Sequence, residues 1–141
     1  MTTLAQNRTT SENIQKLYDN EIFVFGSNED GRHGKGAAKL ARDKFGARPS
    51  QGAGRQGQTY AIPTKDANLN VLPLYKIKGY ILHFETYAAQ HPELRFLVTE
   101  IGCGLAGYTP EEIAPLFSHS VRLPNVFFPQ RFWDVLRGED E

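Results

Sequence analysis

A chain of 141 residues is long enough to bury the core of one domain without disulfides or metal ions. Its 16 basic and 16 acidic residues cancel, which argues against a general nucleic-acid or membrane-surface binder, because such proteins carry excess positive charge. The single cysteine, Cys103, excludes an internal disulfide and fits a reducing compartment. We find no signal peptide or membrane-spanning run, so we expect a cytoplasmic monomer without a membrane partner.

The first half of the sequence alternates helix and strand patterns. Residues 1–20 predict a tail or a short helix in "SENIQKLYDN", with Ser11 as its cap. The apolar run "EIFVF" predicts a buried strand, and "KGAAKLARDKFGA" has helical spacing up to Gly46. A glycine-rich loop then precedes "TYAIP", a second strand that we expect Pro63 to end.

The second half continues the alternation. "PLYKIKGYILHFETYAAQHPEL" predicts the longest helix, and "LRFLVTEI" a third strand. "TPEEIAPLF" begins like a capped helix, with Thr109 as the cap and Glu112 three residues later. "PNVFFP" and "QRFWDVL" predict a fourth strand and a last helix. This order indicates one α/β domain over residues 1–141 with a largely parallel sheet, whose ligands bind beyond the carboxyl ends of the strands.

Two glycine-rich loops follow predicted strands. The first, "GSNEDGRHGKGAA", runs into a helix, and its backbone N–H groups favour an anion, although a plain strand-to-helix turn stays an alternative. It is not a nucleoside-triphosphate P-loop, because Gly36 follows Lys35 where a hydroxyl residue is needed. Seven bases against one acid in residues 31–58 indicate either an anion site or a solvated helix face.

The second loop, residues 102–108, lies between a strand end and a helix start. Its backbone amides are suited to a second phosphate or a sugar, and Tyr108 to the apolar face of that sugar. Two such loops at adjacent strand ends predict a diphosphate held between them. The candidate ligand-binding residues are Ser27, Asn28, Gly31, Gly34, Lys35, Gly36, Ala37, Gly102, Cys103, Gly104, Leu105, Ala106, Gly107 and Tyr108.

Other reactive side chains give weaker signals. Cys103 is a candidate nucleophile, but the alternative of a small buried hydrophobic residue fits its glycine neighbours better. The four histidines lack metal-ligand spacing, and we expect neither a metal nor a cofactor. Lys65 lies just past a strand end, where it is either solvated, paired with a diphosphate, or an amine nucleophile.

Taken together, these segments resemble the macrodomain superfamily. The resemblance is to its branch of terminal ADP-ribose glycohydrolases and DNA ADP-ribosylation antitoxins, and to macro-like proteins of bacteria and phages. The similar stretches are "SNEDGRHGKGAAKLARDKFGA", "YAIPTKD" and "EIGCGLAGYTPEEIAPLF", within residues 22–118. The resemblance implies a three-layer α/β/α sandwich with a mixed, largely parallel sheet that binds ADP-ribose or a related NAD-derived nucleotide.

The resemblance also implies catalytic roles. Lys65 falls where the branch keeps a lysine that attacks the anomeric carbon of the distal ribose. The branch has an acid directly after "IGCGL", where this chain has Ala106, so Glu100, Glu29 or Asp30 would have to substitute. The adenine-reading acid of macrodomains also lacks a clear equivalent, since Asp19 and Asn20 alone lie near the first strand.

Three functions therefore stay open. The first is binding of the nucleotide with hydrolysis of ADP-ribosyl linkages in DNA or protein, with Lys65 and Glu100 as the catalytic candidates. The second is a non-catalytic sponge or reader of a nucleotide signal, which Ala106 favours. The third is a protein-interaction module that uses "NVFFPQRFW" as its contact surface, although such a run is also typical of a strand and helix packed on a sheet.

Overall fold

The structure is a computed structural model that describes residues 8–140, without the side chains of residues 138–140. Five strands make one sheet: β1 (Glu21–Asn28), β2 (Gly54–Gln56), β3 (Thr59–Lys65), β4 (Arg95–Val98) and β5 (Val126–Phe127). Their order across the sheet is β2-β3-β1-β4-β5. All neighbours pair in parallel except β2, which is antiparallel to β3. The sheet is thus mixed and largely parallel.

Four helices connect or follow the strands. They are α1 (Gly36–Leu40), continued by a π-helical turn (Ala41–Phe45), α2 (Leu74–Gln90), α3 (Pro110–Ile113), continued by a 3-10 helix (Ala114–Arg122), and α4 (Gln130–Asp140). The predicted cap of α3 is confirmed, because the Thr109 and Glu112 side chains each accept a hydrogen bond from the other's backbone N–H. The turn after α1 ends where predicted, at Gly46 with φ of 92°.

Alternate residues of β1 enter two separate cores. Phe23 and Phe25 face α1 and its π-helical turn, where Phe45 packs. Ile22 and Val24 face the opposite side, in a larger core with residues of α2, α3 and α4. A central parallel strand is buried on both faces, so its sequence is continuously apolar. The predicted α/β/α sandwich is confirmed, with helices on both faces of the sheet.

The predicted helix over residues 11–20 is wrong. These residues form bends and a turn, with no helix. Ile14 and Leu17 pack against the core of Phe23 and Phe25, whereas Tyr18 is 76% exposed. The three residues that suggested one helical face therefore lie on an irregular segment, two against the core and one in solvent. The remainder of the predicted tail, residues 1–7, lies outside the described residues.

The prediction that Pro63 ends the second strand is also wrong, since β3 continues to Lys65. Proline is tolerated at sheet positions where no ladder hydrogen bond is lost. The antiparallel partner β2 pairs only with Thr59, Tyr60 and Ala61, so Pro63 has a neighbour on one side alone. This extension carries Lys65 further out along the sheet.

β2 lies inside the predicted glycine-rich loop, where the sequence pattern predicts no strand. It forms a hairpin with β3 across Gly57 and Gln58, and Gly57 has a φ of 59°. Two-residue hairpin turns favour glycine at positions of positive φ. The segment "GRQGQTYAI" is therefore typical of a hairpin with Gly57 in its turn, although its glycine content also fits a loop.

The aromatic run near the carboxyl terminus belongs to the core. Phe128, Phe132 and Trp133 are at most 1% exposed, and Phe128 meets the edge of Trp133 at 5.2 Å between ring centroids. Phe127 is half-buried beside Arg95, so most of the run, but not all of it, packs in the core. Across the described residues, no helix combines the length and the apolar character needed to cross a bilayer.

Arg8 fastens the amino-terminal segment to the end of this core. Its guanidinium donates hydrogen bonds to the carbonyls of Val126 (2.9 Å), Val121 (3.0 Å) and Leu123 (2.7 Å). The same group lies 5.3 Å from the ring centre of Trp133. The neighbouring backbone pairs with Phe128 and so extends the sheet beyond β5.

We expect Arg8→Ala to lower the free energy of unfolding by about 2 kcal/mol, because charge-assisted hydrogen bonds to partly buried carbonyls are lost. Urea unfolding followed by circular dichroism measures this change. Arg122→Ala is the matched control, since Arg122 is exposed and its side chain makes no hydrogen bond within residues 8–140. Equal midpoints for the two variants would contradict a structural role for Arg8.

Candidate functional site

A cleft of about 530 Å³ opens at the carboxyl ends of three adjacent parallel strands. Residues 26–28 end β1, Thr64 and Lys65 end β3, and Thr99 follows β4; all of them line the cleft. In the sheet, β3 and β4 lie on either side of β1. The turn after α1 packs on one face of the sheet and α2 packs on the other. Ligands of open α/β sheets bind at such a point, where successive connections lie on opposite faces. The volume lies within the usual range for small-molecule sites.

Both predicted glycine-rich loops reach this cleft. The predicted site residues that line it are Ser27, Asn28, Gly34, Lys35, Gly36, Ala37, Lys65, Glu100, Gly102, Gly104, Leu105 and Ala106. The predicted residues that belong to the same loops but do not line it are Gly31, Cys103, Gly107 and Tyr108. The lining residues that the sequence analysis did not assign to the site are Gly26, Arg32, Ala38, Thr64, Leu69, Thr99 and Ile101.

Gly31 and the side chain of Asn28 shape the first loop from within. Gly31 has a φ of 72°, and a Cβ there would lie 2.3 Å from the backbone nitrogen of Gln51. The Asn28 amide donates to the carbonyl of Arg32 (2.8 Å) and accepts from its N–H (2.9 Å). Gly31 therefore allows two backbone segments to approach, which is a structural role.

The second loop is closed by its own hydrogen bonds. The N–H of Gly107 donates to the carbonyl of Gly104 (3.0 Å), and the N–H of Tyr108 to that of Gly102 (2.9 Å). The Tyr108 hydroxyl donates to the carbonyl of Leu72 (2.7 Å), and its ring packs on the larger core. The predicted donor at Gly107 is thus used inside the loop, and Tyr108 anchors the loop to the core.

Several backbone donors nevertheless stay unused at the cleft. In the second loop, the N–H groups of Gly104, Leu105 and Ala106 make no hydrogen bond within the described residues. In the first loop, the same holds for Gly34 and Lys35. Donors grouped around a concave surface are suited to phosphate oxygens. The predicted pairing of two donor-bearing loops at adjacent strand ends is therefore present.

The hydroxyl side chains of the lining are occupied by the protein itself. Ser27 donates to the carbonyl of Gly52, Thr64 to that of Ser27 (3.3 Å), and Thr99 to that of Val24 (2.8 Å). These bonds join the strand ends to one another and to the loop that contains Gly52. They make the floor of the cleft rigid and leave it with few side-chain donors for a ligand.

Lys35 and Lys65 are different, because neither ammonium group makes an ion pair or hydrogen bond within residues 8–140. Arg32, the third cation of the lining, pairs with Asp30 at 2.9 Å and also donates to the carbonyl of Ala67. The cleft thus has two uncompensated positive charges beside its backbone donors. Such a group of cations and N–H groups attracts anions.

The sequence predicts that the basic residues of the first loop and α1 form either an anion site or a solvated helix face, and they divide between the cleft and such a face. Lys39 and Arg42 both pair with Asp43, at 2.7 and 3.0 Å. Hydrogen bonds from Lys39 and then Arg42 lower the pKa of the Asp43 carboxyl below its usual value. This part of the basic segment is a solvated helix face, whereas Lys35 belongs to the cleft.

The carboxylates offered as substitutes for the missing acid lie in three places. Glu100 lines the cleft and pairs with Arg131 at 3.2 Å. Glu29 accepts a hydrogen bond from the Tyr80 hydroxyl, and this bond is the main cause that raises the Tyr80 pKa to about 12. Asp30 is paired with Arg32, and neither Glu29 nor Asp30 lines the cleft. Glu100 is the carboxylate of the lining.

Asp19 and Asn20, the residues nearest to the expected adenine-reading acid, precede the amino end of β1. The cleft lies at the other end of that strand, roughly 25 Å away at 3.3 Å per residue. Neither residue lines the cleft.

Cys103 is half-buried against the larger core, and its thiol lies 3.5 Å from the carbonyl of Ile101. Burial is the main cause that raises its pKa to about 11, and the Glu100 carboxylate adds to the effect. A thiol with a raised pKa is a poor nucleophile at neutral pH. The structure supports the view of Cys103 as a small core residue.

No group of three or more His, Cys, Asp and Glu side chains among residues 8–140 has an arrangement that holds a metal ion. His33 is buried, and its Nε2 lies 2.9 Å from the carbonyl oxygen of Arg48 and 3.1 Å from that of Gln51. It packs edge-on against Phe25. Its contacts give it a role in holding the first loop against the sheet.

Comparisons of the chain with known protein families, with curated proteins and with solved structures gave no match. The likeness to macrodomains therefore rests on the sequence motifs, which here surround one cleft.

We expect Cys103 to react with iodoacetamide at pH 8 about 100-fold more slowly than an ordinary thiol. Raising the pKa from 9.0 to about 11 lowers the fraction of the reactive thiolate by about that factor. Since the folded protein retains the proton, the rate should increase about tenfold per pH unit from pH 7 to 9 without levelling. Mass spectrometry follows the labelling, and the same chain in urea is the control. Fast labelling of the folded protein at pH 7 would reopen the nucleophile hypothesis.

Proposed function

We propose that this chain binds ADP-ribose or a related NAD-derived nucleotide in the cleft, with the diphosphate between the two glycine-rich loops. The observation that carries the proposal is the meeting of both loops with Lys35 and Lys65 around one cavity at the strand ends. Unused backbone N–H groups and two unpaired ammonium groups match the charge and the oxygen-rich surface of a diphosphate. The resemblance to macrodomains supplies the choice of ADP-ribose.

A thermal-shift series tests this proposal most directly. A ligand at 100 times its dissociation constant stabilises the folded protein by about 2.7 kcal/mol. ADP-ribose, NAD, ADP and pyrophosphate should each raise the melting temperature, whereas ribose without phosphate should not. A response to none of the phosphate compounds would contradict the proposal.

Gly104→Val should weaken the binding of ADP-ribose by at least about tenfold, since 1.4 kcal/mol corresponds to that factor. The added side chain occupies space in the cleft, while a Cβ at this position meets no protein atom within 4 Å, so the fold should persist. Gly104 is a cleaner site for this test than Gly36, whose φ of 57° would itself strain a valine.

Isothermal titration calorimetry measures the affinity of Gly104→Val. Gly79→Val is the matched control, because Gly79 lies on α2, does not line the cleft and also has no atom within 4 Å of a built Cβ. Equal affinity in the folded Gly104→Val variant and the parent would place the ligand elsewhere.

An enzymatic activity is the further part of the proposal. In this reaction the unprotonated amine of Lys65 attacks the anomeric carbon of the distal ribose, and the bond from that carbon to the macromolecule breaks. The lysine nitrogen loses a proton when the adduct forms, and the leaving group gains one, with Glu100 as the carrier. Water then hydrolyses the adduct to ADP-ribose and free lysine. The side-chain amine of Lys65 has no bonding partner within the described residues. Glu100 is the carboxylate in the lining of the cleft, so it is our candidate for this proton transfer.

Lys65→Ala should abolish any release of ADP-ribose from an ADP-ribosylated oligonucleotide or peptide, whereas Cys103→Ser should keep most of it. Ala106→Asp should increase the rate, because Ala106 lines the cleft at the position of the branch's acid. Mass spectrometry of the released product compares the variants. Lys76→Ala is the control, since Lys76 is an exposed lysine outside the cleft. Undiminished release by Lys65→Ala would refute the lysine mechanism.

A non-catalytic sponge or reader is the second candidate. The observation that favours it is Ala106 itself: a methyl group faces the cleft where the branch has a carboxylate, and Glu100 is already paired with Arg131. Tight binding of ADP-ribose by the parent, without release of product in any variant, is the result expected of this function.

A further inference from the structure

Two exposed leucines line the cleft from different loops. Leu105, in the second glycine-rich loop, is 72% exposed, and Leu69, in the turn after β3, is 44% exposed. Single exposed leucines are ordinary on protein surfaces. Two in the lining of one cavity, whose other features favour an anion, are apolar side chains that a diphosphate alone does not use.

Leu69 is held in a conformation that leucine rarely adopts. Its φ is 65°, in the left-handed region that is unfavourable for a residue with a branched side chain. The Asp66 carboxylate fixes this turn by accepting hydrogen bonds from the N–H groups of Asn68 and Asn70, both at 2.9 Å. Arg32 ties the turn to the first glycine-rich loop through the carbonyl of Ala67. Backbone strain retained in this way is common at ligand contacts.

The polar side chains of the cleft are poorly placed to read the hydrogen-bonding edge of a base. Ser27, Thr64 and Thr99 donate their hydroxyl hydrogens to backbone carbonyls. The Asn28 amide is bound to the backbone of Arg32 through both its oxygen and its nitrogen. Arg32 and Glu100 are ion-paired with Asp30 and Arg131. The ammonium groups of Lys35 and Lys65 are free, but those groups match the phosphates. Selective reading of a base requires side-chain donors and acceptors that are free to pair with it.

We propose that Leu69 and Leu105 hold the base of the nucleotide by its apolar faces, so that the cleft selects the diphosphate and accepts purine and pyrimidine bases alike. This inference rests on the proposed nucleotide function and extends it to specificity. A base gains apolar contact from either leucine whatever its edge, whereas discrimination by side chains would need hydroxyl and amide groups that are bound to the protein backbone here.

Calorimetric titration with ADP, UDP and pyrophosphate tests the inference on the whole chain. In the parent, ADP and UDP should bind within about threefold of each other and at least about tenfold more tightly than pyrophosphate. Leu69→Ala should weaken both nucleotides by about fivefold and leave pyrophosphate unchanged, and Leu105→Ala should weaken both nucleotides about fivefold more than it weakens pyrophosphate. Leu82→Ala is the matched control, because Leu82 is also 44% exposed but lies on α2 outside the cleft.

The outcomes separate this inference from the function on which it rests. Nucleotide affinities that are unchanged in both leucine variants, or a preference of more than 100-fold for one base, would overturn the leucine contact while pyrophosphate binding upheld the anion site. A parent that binds neither pyrophosphate nor nucleotides would overturn both. The double variant Leu69→Ala/Leu105→Ala, with nucleotide affinities reduced to that of pyrophosphate, is the result expected if the base has no other contact.

Discussion

The burial of β1 on both faces is the constraint on which the cleft depends. Because Phe23 and Phe25 enter one core and Ile22 and Val24 the other, β1 must lie in the middle of the sheet with helices above and below it. Its parallel partners β3 and β4 then end at the same edge. The loops that leave these strands meet at that edge and form the cleft.

The rigidity of the cleft follows from how its polar groups are used. Hydroxyls at the ends of β1 and β3, and just after β4, bond to neighbouring backbone, and Gly31 lets a second backbone segment pack closely on the first loop. Buried polar groups need such partners, because leaving them unpaired is costly. The same bonds leave unused N–H groups, two ammonium groups, the Glu100 carboxylate and two leucines at the surface of the cleft.

The two candidate functions differ in one local feature of an otherwise shared site. Binding requires the loops and the cations, which are all present around the cleft. Turnover by the lysine route also requires a carboxylate that can transfer a proton, and the second loop has Ala106 at that position. Glu100 approaches from the adjacent segment and is ion-paired with Arg131. The two candidate functions therefore differ in one carboxylate and its partner, not in the fold.

By itself the sequence determined the α/β class, four of the five strands, the capped start of α3 and the two loops that reach the cleft. These are set by local patterns: apolar runs, helical spacing, a capping box and glycine-rich turns. Tertiary structure alone decided that residues 11–20 are not helical and that β3 passes Pro63, because both depend on what packs or pairs beside them. It also decided which donors stay free. Whether the Tyr108 hydroxyl or a threonine hydroxyl faces a ligand or a neighbouring carbonyl depends on residues distant in the chain, which no local pattern specifies.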